Sequence, residues 1–466
     1  MHLNINLFRQ PKQFWVLAFG EIWNTFSYYG TQTILALYFI HVFHFTRSES
    51  YLLYGAYAAF AYSLPLLGGI VADRWLGSRN TLFLGAALNI GGNLLLMSFG
   101  HYWFCLGLAT SLVGSGLYKS TSTHLVGTLY PEGDIKKEAA FTWLYLAVNV
   151  GGTLGPLAYG FAAYSLGWNF GFLFSALGIL ISLLWFLYNW NNNEISKPLS
   201  ATGKIFLYVI ILASCLFFSI PFYIPKIINP LIFIMFIVGI IYLLSMITRY
   251  TLEERRHLWV LLLIGFFGMF YFAAGLQIGT TITLFIQDAI QKGLIKTQLP
   301  ASTFSTLYPL FVLLLAPFFT YLWHRLKTKG ITPSAPAKLA LGMILATIGI
   351  SAFACASLTK FIILGIIIGN LMLSAGELVL TPAVYTAVSN LSPPGMKNTM
   401  MGCWLLFIAL GSYLSSVLAS AAQQITRITF FSQPAHFGEF VFIAVFTLSV
   451  VLVLSLLTPR LSKMML

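Results

Sequence analysis

Glu21, Lys119 and Glu377 are the residues of this sequence best placed to do chemistry, because each lies deep inside a long apolar run. A charge in hydrocarbon is costly. One that persists there pairs with another charge, faces water, or handles a proton or a charged solute. Around the first of them, Glu21, Asn24, Thr25 and Tyr28 fall at i, i+3, i+4 and i+7, the spacing that lines one helical face. Hydrogen bonding between helices is the structural reading of such a polar stripe. The carboxylate within it adds a proton or solute site. The eight histidines form no HExxH, and neither GxSxG nor a P-loop occurs, so the sequence offers no enzyme site and no metal site.

The elements that must position these charges follow from composition. The chain is 58% hydrophobic and 8% charged over 466 residues, against about 25% charged in soluble domains. Apolar runs of spanning length lie near residues 13–40, 50–73, 79–98, 102–126, 138–163, 168–190, 204–222, 227–248, 258–287, 302–324, 337–357, 361–386, 398–423 and 438–458. They are continuously apolar rather than alternating, which favours helices over a barrel. The expected fold is an all-α membrane protein with fourteen spans.

With the N-terminus inside, the inner segments hold Arg9, Lys12, Arg74, Arg79, Lys136, Lys137, Lys197, Lys204, Arg249, Arg255, Arg256, Arg325, Lys327, Lys329, Lys338, Lys397, Arg460 and Lys463. The outer loops hold only Arg47, Lys226, Lys292, Lys296, Lys360 and Arg427. This positive-inside bias places both termini in the cytoplasm and accounts for the net charge of +13 without nucleic acid. Asp288 and Glu439 fall near span ends, where water is expected to reach them. The four cysteines lie in apolar runs, so no disulfide is expected. Arg9 and Lys12 precede a long first span without a small-residue cleavage site, which reads as a retained helix.

Two polar interruptions, at 191–203 and 249–257, divide the chain into a six-helix bundle (1–190), a linker with an inserted two-helix hairpin (191–257) and a second six-helix bundle (258–466). Six spans on either side of a hairpin suggest two pseudo-symmetric halves with a solute site at the membrane midplane.

FGEIWNTFSYYG (19–30), GGIVADRWLGSR (68–79), GLYKSTSTHLVGTLYP (116–131), FTWLYLAVNVGGTLGP (141–156), GELVLTPAVYTAVSNLSP (376–393) and MMGCWLL (400–406) together resemble the proton-dependent oligopeptide transporters of the major facilitator superfamily. The first-helix pattern of that family, ExxERFxYYG, is matched at Glu21, Phe26, Tyr28, Tyr29 and Gly30. The resemblance implies two six-helix bundles plus the hairpin, and proton-coupled symport of short peptides or amino-acid-like solutes by alternating access. It also implies protons as the coupling ion with no cofactor, a bacterial inner membrane and a monomer. It assigns proton coupling to Glu21 and Lys119. Solute binding falls to Tyr28, Tyr29, Tyr62, Lys119, Tyr145, Asn149, Gln277, Glu377 and Trp404, with Glu377 receiving a peptide's amino terminus. The chemistry coheres, since a zwitterion leaves water only if its ammonium meets a carboxylate and its carboxylate meets a cation. Gly69, Asp73, Arg74, Gly77 and Arg79 resemble the family's conformational latch, the glycines permitting a tight turn.

The departures are specific. The second Glu and the Arg of the first-helix motif are Asn24 and Thr25, a further Arg is Gln32, the seventh-helix acid is Leu276, and the eighth-helix Asn before Pro is Tyr308. Lys119 then supplies a point charge where the family has a bidentate guanidinium. The alternative reading is a facilitator on the same scaffold, carrying a different small molecule with lost or altered proton coupling.

Overall fold

The computed structural model describes residues 10–98, 100–131, 135–189, 201–248, 250–359, 361–393, 397–429 and 435–465. Among them there is no strand. The α-helices are α1 (Lys12–His41), α2 (Arg47–Val71), α3 (Ser78–Leu96), α4 (His101–Thr128), α5 (Ile135–Ser165), α6 (Asn169–Asn189), α7 (Ala201–Tyr223), α8 (Ile228–Ile247), α9 (Leu252–Gly275), α10 (Thr281–Gln291), α11 (Leu307–Thr328), α12 (Ala335–Leu358), α13 (Ile362–Leu391), α14 (Lys397–Thr429) and α15 (Ala435–Met464). With α9 and α10 taken as halves of one span, their order follows the fourteen apolar runs of the sequence. Eight segments among the described residues are by themselves long and apolar enough to cross a membrane. Large side chains such as Phe161, Ile181, Leu184 and Leu456 are exposed, which suits lipid rather than water.

Packing divides the chain into two compact units. One comprises residues 1–38, 60–224 and 302–306, the other residues 39–59, 225–301 and 307–466. This grouping is not the contiguous division drawn at 190 and 257. In the first unit α7 packs on α4, and Phe60 of α2 meets Phe218 and Phe222 of α7 at ring distances of 5.0 and 5.9 Å. Aromatic packing thus anchors the first helix of the inserted pair. The linker at 191–200 lies outside the described residues.

Each unit is built on a glycine seam. In the first, Gly85 and Gly92 of α3 face Gly114 and Gly107 of α4. A Cβ on Gly114 would stand 2.7 Å from the Gly85 carbonyl oxygen, and one on Gly107 would stand 2.9 Å from that of Gly92. In the second, Gly342 and Gly349 of α12 face Gly376 and Gly369 of α13, and the corresponding distances from Gly376 and Gly349 are 2.7 and 2.9 Å. Small residues two turns apart let backbones approach where lipid supplies no hydrophobic drive between helices.

The seventh span breaks, where the sequence reads as one run over 258–287. Leu276–Gly279 form a short 3₁₀ turn between α9 and α10. The Gln277 side chain donates to the Ala273 carbonyl at 3.0 Å and to the Ser415 carbonyl at 2.8 Å. The Thr280 and Thr281 hydroxyls donate back to its Oε1 at 3.2 and 2.9 Å. Side chains therefore replace backbone partners that the break removes.

Candidate functional site

In the first unit the polar stripe of α1 meets α3. Asn89 Nδ2 donates to Asn24 Oδ1 at 3.1 Å, and Asn93 Nδ2 donates to Asn89 Oδ1 at 2.8 Å and to Ser27 Oγ at 3.1 Å. Asn24, standing where the family motif has a second Glu, is thereby a structural amide in a buried ladder. Glycines set the depth of the same helix. Gly155 of α5 lies against the backbone of Phe26 and Gly30, which seats the stripe inside the unit.

Glu21 is buried at 2% exposure, and its Oε2 makes no hydrogen bond. Asn24, Ser122 and Lys119 are the polar groups that act on it. Lys119 does not form a contact ion pair with it: their charges act across more than 4.0 Å. The Lys119 Nζ instead lies 5.5 Å from the centre of the Tyr62 ring, an arrangement in which the quadrupole of the ring supports the ammonium. Tyr62 meets Tyr28 at 6.3 Å, and Tyr28 meets Tyr29 at 4.9 Å. The structure thus brings Glu21, Lys119, Tyr62, Tyr28 and Tyr29 into one neighbourhood. Tyr145 and Asn149 share α5, where the Asn149 amide donates to the Tyr145 carbonyl at 2.9 Å.

In the second unit Glu377 of α13 accepts a hydrogen bond from the Tyr308 hydroxyl of α11. Tyr308 is fixed in turn, its carbonyl accepting from Ser374 Oγ at 2.8 Å, while Tyr271 donates to the Leu373 carbonyl at 2.6 Å. The eighth-helix departure noted in the sequence is therefore the direct partner of the acid, a link that residue spacing does not reveal. Trp404 is buried, packs on Phe272 at 5.8 Å, and has an indole N–H without a partner. Gln277 does not stand as a free solute ligand: at 0% exposure, with both polar atoms bonded internally, it holds the helix break.

The Tyr308 bond has a measurable consequence. A phenol donating to Glu377 competes with any ammonium brought to that carboxylate. Tyr308→Phe removes the competitor and keeps the ring, so amine-bearing solutes are expected to bind several-fold tighter, since a hydrogen bond to a charged group is worth about 1.5–3 kcal/mol and water recovers part of it. Calorimetric titration of the purified variant with a dipeptide or an amino acid reads this, and equal or weaker binding contradicts it.

Elsewhere the structure departs from the sequence reading in detail. Gly69 lies within α2 with nothing within 4 Å of a Cβ built on it, so no tight turn depends on it. The turn falls at Gly77, whose φ of 74° disfavours any L side chain and follows a π-helical stretch at Ala72–Leu76. Arg79 opens α3, while the side chains of Asp73 and Arg74 lie outside the described set. Glu439 is buried at 3% rather than water-facing, and Asp288 is part-buried and paired.

Comparison with known proteins places this architecture. A family model described as POT family matches residues 79–436. Dipeptide and tripeptide permease A of Yersinia pestis is 27% identical over 90% of this chain and 85% of its own length. The uncharacterized transporter YclF of Bacillus subtilis is 28% identical over 91% of this chain and 90% of its own. Among solved structures, a peptide transporter POT in complex with sulfate superposes with a TM-score of 0.83 at 24% identity, covering 98% of this chain and 96% of that one. A POT family transporter in complex with 5-aminolevulinic acid matches equally, covering 97% of each. At that identity the likeness carries the fold.

Proposed function

The chain belongs to the POT family, and from that premise we propose that it is a secondary carrier, importing short peptides or amino-acid-like solutes together with protons by alternating access. One observation carries the proposal: the membrane-spanning helices retain a buried carboxylate at Glu21, a nearby ammonium at Lys119 and a second acid at Glu377. Relatives described as dipeptide and tripeptide permeases support the substrate class.

The division of labour follows from charge. Glu377 of the second unit is the acid for a solute ammonium, which displaces the Tyr308 hydroxyl, and Lys119 of the first unit is the cation for a solute carboxylate. Each charged end of a solute needs such a partner as it leaves water. A proton on Glu21 cancels the negative charge within reach of Lys119 and leaves the ammonium to the solute. The proton does work only by binding one conformational state better than the other. The orientation with both termini cytoplasmic follows the charge bias, a bacterial inner membrane follows from the bacterial permeases among its relatives, and a monomer suffices for this mechanism.

Uptake of a labelled dipeptide into proteoliposomes tests the reading. An inwardly directed pH gradient should raise initial uptake several-fold in the wild type and leave Glu21→Gln unchanged, while competing dipeptides suppress the signal. Wild-type uptake that ignores the gradient would favour the facilitator alternative. The engagement of Asn24 in the α1–α3 ladder and the neutral Leu276 motivate keeping that alternative.

A further inference from the structure

Away from the residues assigned to the solute, four charged or titratable side chains of the second unit converge where the first turn of α2, the last turn of α10 and the first turn of α15 meet. Arg47 Nη2 lies 3.1 Å from each Asp288 carboxylate oxygen. His436 Nε2 lies 2.8 Å from Asp288 Oδ2, and His436 Nδ1 lies 2.9 Å from Glu439 Oε2. The side chains of His436 and Glu439 are 8% and 3% exposed, and that of Asp288 is 20% exposed. Phe285 packs edge-on to the imidazole at 5.6 Å. Among the described residues, the charged groups facing His436 are Asp288 from α10 and Glu439 from α15, and Arg47 and Tyr51 of α2 stand about those two carboxylates.

Hydrogen-bond valence decides what this arrangement holds. A neutral imidazole donates from one nitrogen and accepts at the other, whereas an ionised carboxylate only accepts. With both ring nitrogens against carboxylate oxygens, a neutral ring would set a lone pair against a lone pair on one side. The geometry is satisfied only with one further proton, carried by the imidazolium or shared with an acid of the coupled set. With that proton, Arg47 and His436 balance Asp288 and Glu439. Without it a negative charge stays uncompensated in a buried place, which is costly.

We propose that His436, seated between Asp288 and Glu439 and closed on the far side of Asp288 by Arg47, is a proton-binding site separate from Glu21. Its occupancy sets how firmly the ends of α2, α10 and α15 hold together. Loss of the proton opposes an acceptor to an acceptor, and the contact loosens. By reciprocity, whatever draws these helix ends apart changes the affinity for the proton.

The full chain in nanodiscs tests this, with thermal unfolding followed from about pH 5 to about pH 9 across the imidazole range. The wild-type Tm should fall by several degrees on the alkaline side. Glu439→Gln keeps the shape and lets an amide face the ring, so the extra proton is no longer needed and the alkaline fall should flatten. His436→Gln should flatten it as well. Alkaline slopes that coincide in wild type and Glu439→Gln overturn the proposal. Nitrogen-15 histidine NMR at neutral pH gives an independent reading, in which the resonance that Glu439→Gln alters should show the doubly protonated pattern in wild type. A neutral-tautomer pattern would overturn it too. Where His436→Gln fails to fold, Glu439→Gln carries the comparison alone.

Discussion

Replacing Gly114 by Val should abolish the folded carrier. A Cβ at this position would stand 2.7 Å from the Gly85 carbonyl oxygen of α3, which is backbone rather than the movable tip of a side chain. Relief requires the two helices to part along their length. Separation would also disturb Asn89 and Asn93, whose amides fix α1 to α3. Overpacking a core costs typically 1–3 kcal/mol, occasionally more, and a backbone clash at a helix seam belongs at about the upper end. Gly342→Val should act likewise in the second unit, where a Cβ would stand 2.9 Å from the Gly376 carbonyl oxygen. Fluorescence-detected size exclusion after mild solubilisation measures both. A monodisperse peak with wild-type Tm for either variant would show that the seam yields more easily than its backbone geometry implies. Gly69→Ala is the internal control, since open space surrounds that position.

The second large effect is expected at Glu377. Glu377→Gln keeps the shape and a hydrogen-bonding oxygen for Tyr308 but removes the charge that an ammonium seeks. A hydrogen bond to a charged group is worth about 1.5–3 kcal/mol, so affinity for amine-bearing solutes should fall roughly ten- to hundredfold. Calorimetric titration alongside proteoliposome uptake separates binding from transport. Affinity for a solute lacking the amine should barely change, and that contrast gives the test its force. Equal losses for both solutes would mean that the substitution disturbs the α11–α13 packing instead, and Glu377 would then be a structural acid. Tyr308→Phe distinguishes the same possibilities from the other side of the hydrogen bond.

Much of this protein is legible in one dimension because a bilayer imposes a simple rule on sequence. Backbone groups must bond within their own helix, and long apolar runs announce the spans. That rule gives the helix order, the positive-inside bias and the cost that makes Glu21, Lys119 and Glu377 conspicuous. The spacing of Glu21, Asn24, Thr25 and Tyr28 likewise reports a shared face, because a helix fixes the angle between them.

What spacing cannot report is which side chain from another helix answers each group. Asn24 reads from sequence as a vacancy in a charged motif, and the structure makes it a rung between helices. Gln277 reads as a solute ligand and proves to be the staple of a broken span. Glu439 reads as a wet end residue and is buried against His436. Tyr308 reads as a substitution, and only its position beside Glu377 turns it into a partner. The seven-residue glycine spacing is visible along the chain, yet its meaning depends on which helix lies opposite. The sequence by itself determined the solvent, the helices and the costly charges, since each depends on a residue and its near neighbours. Tertiary structure alone decided the pairings, because hydrogen bonds and close backbone contacts depend on distances between helices that the order of residues does not encode.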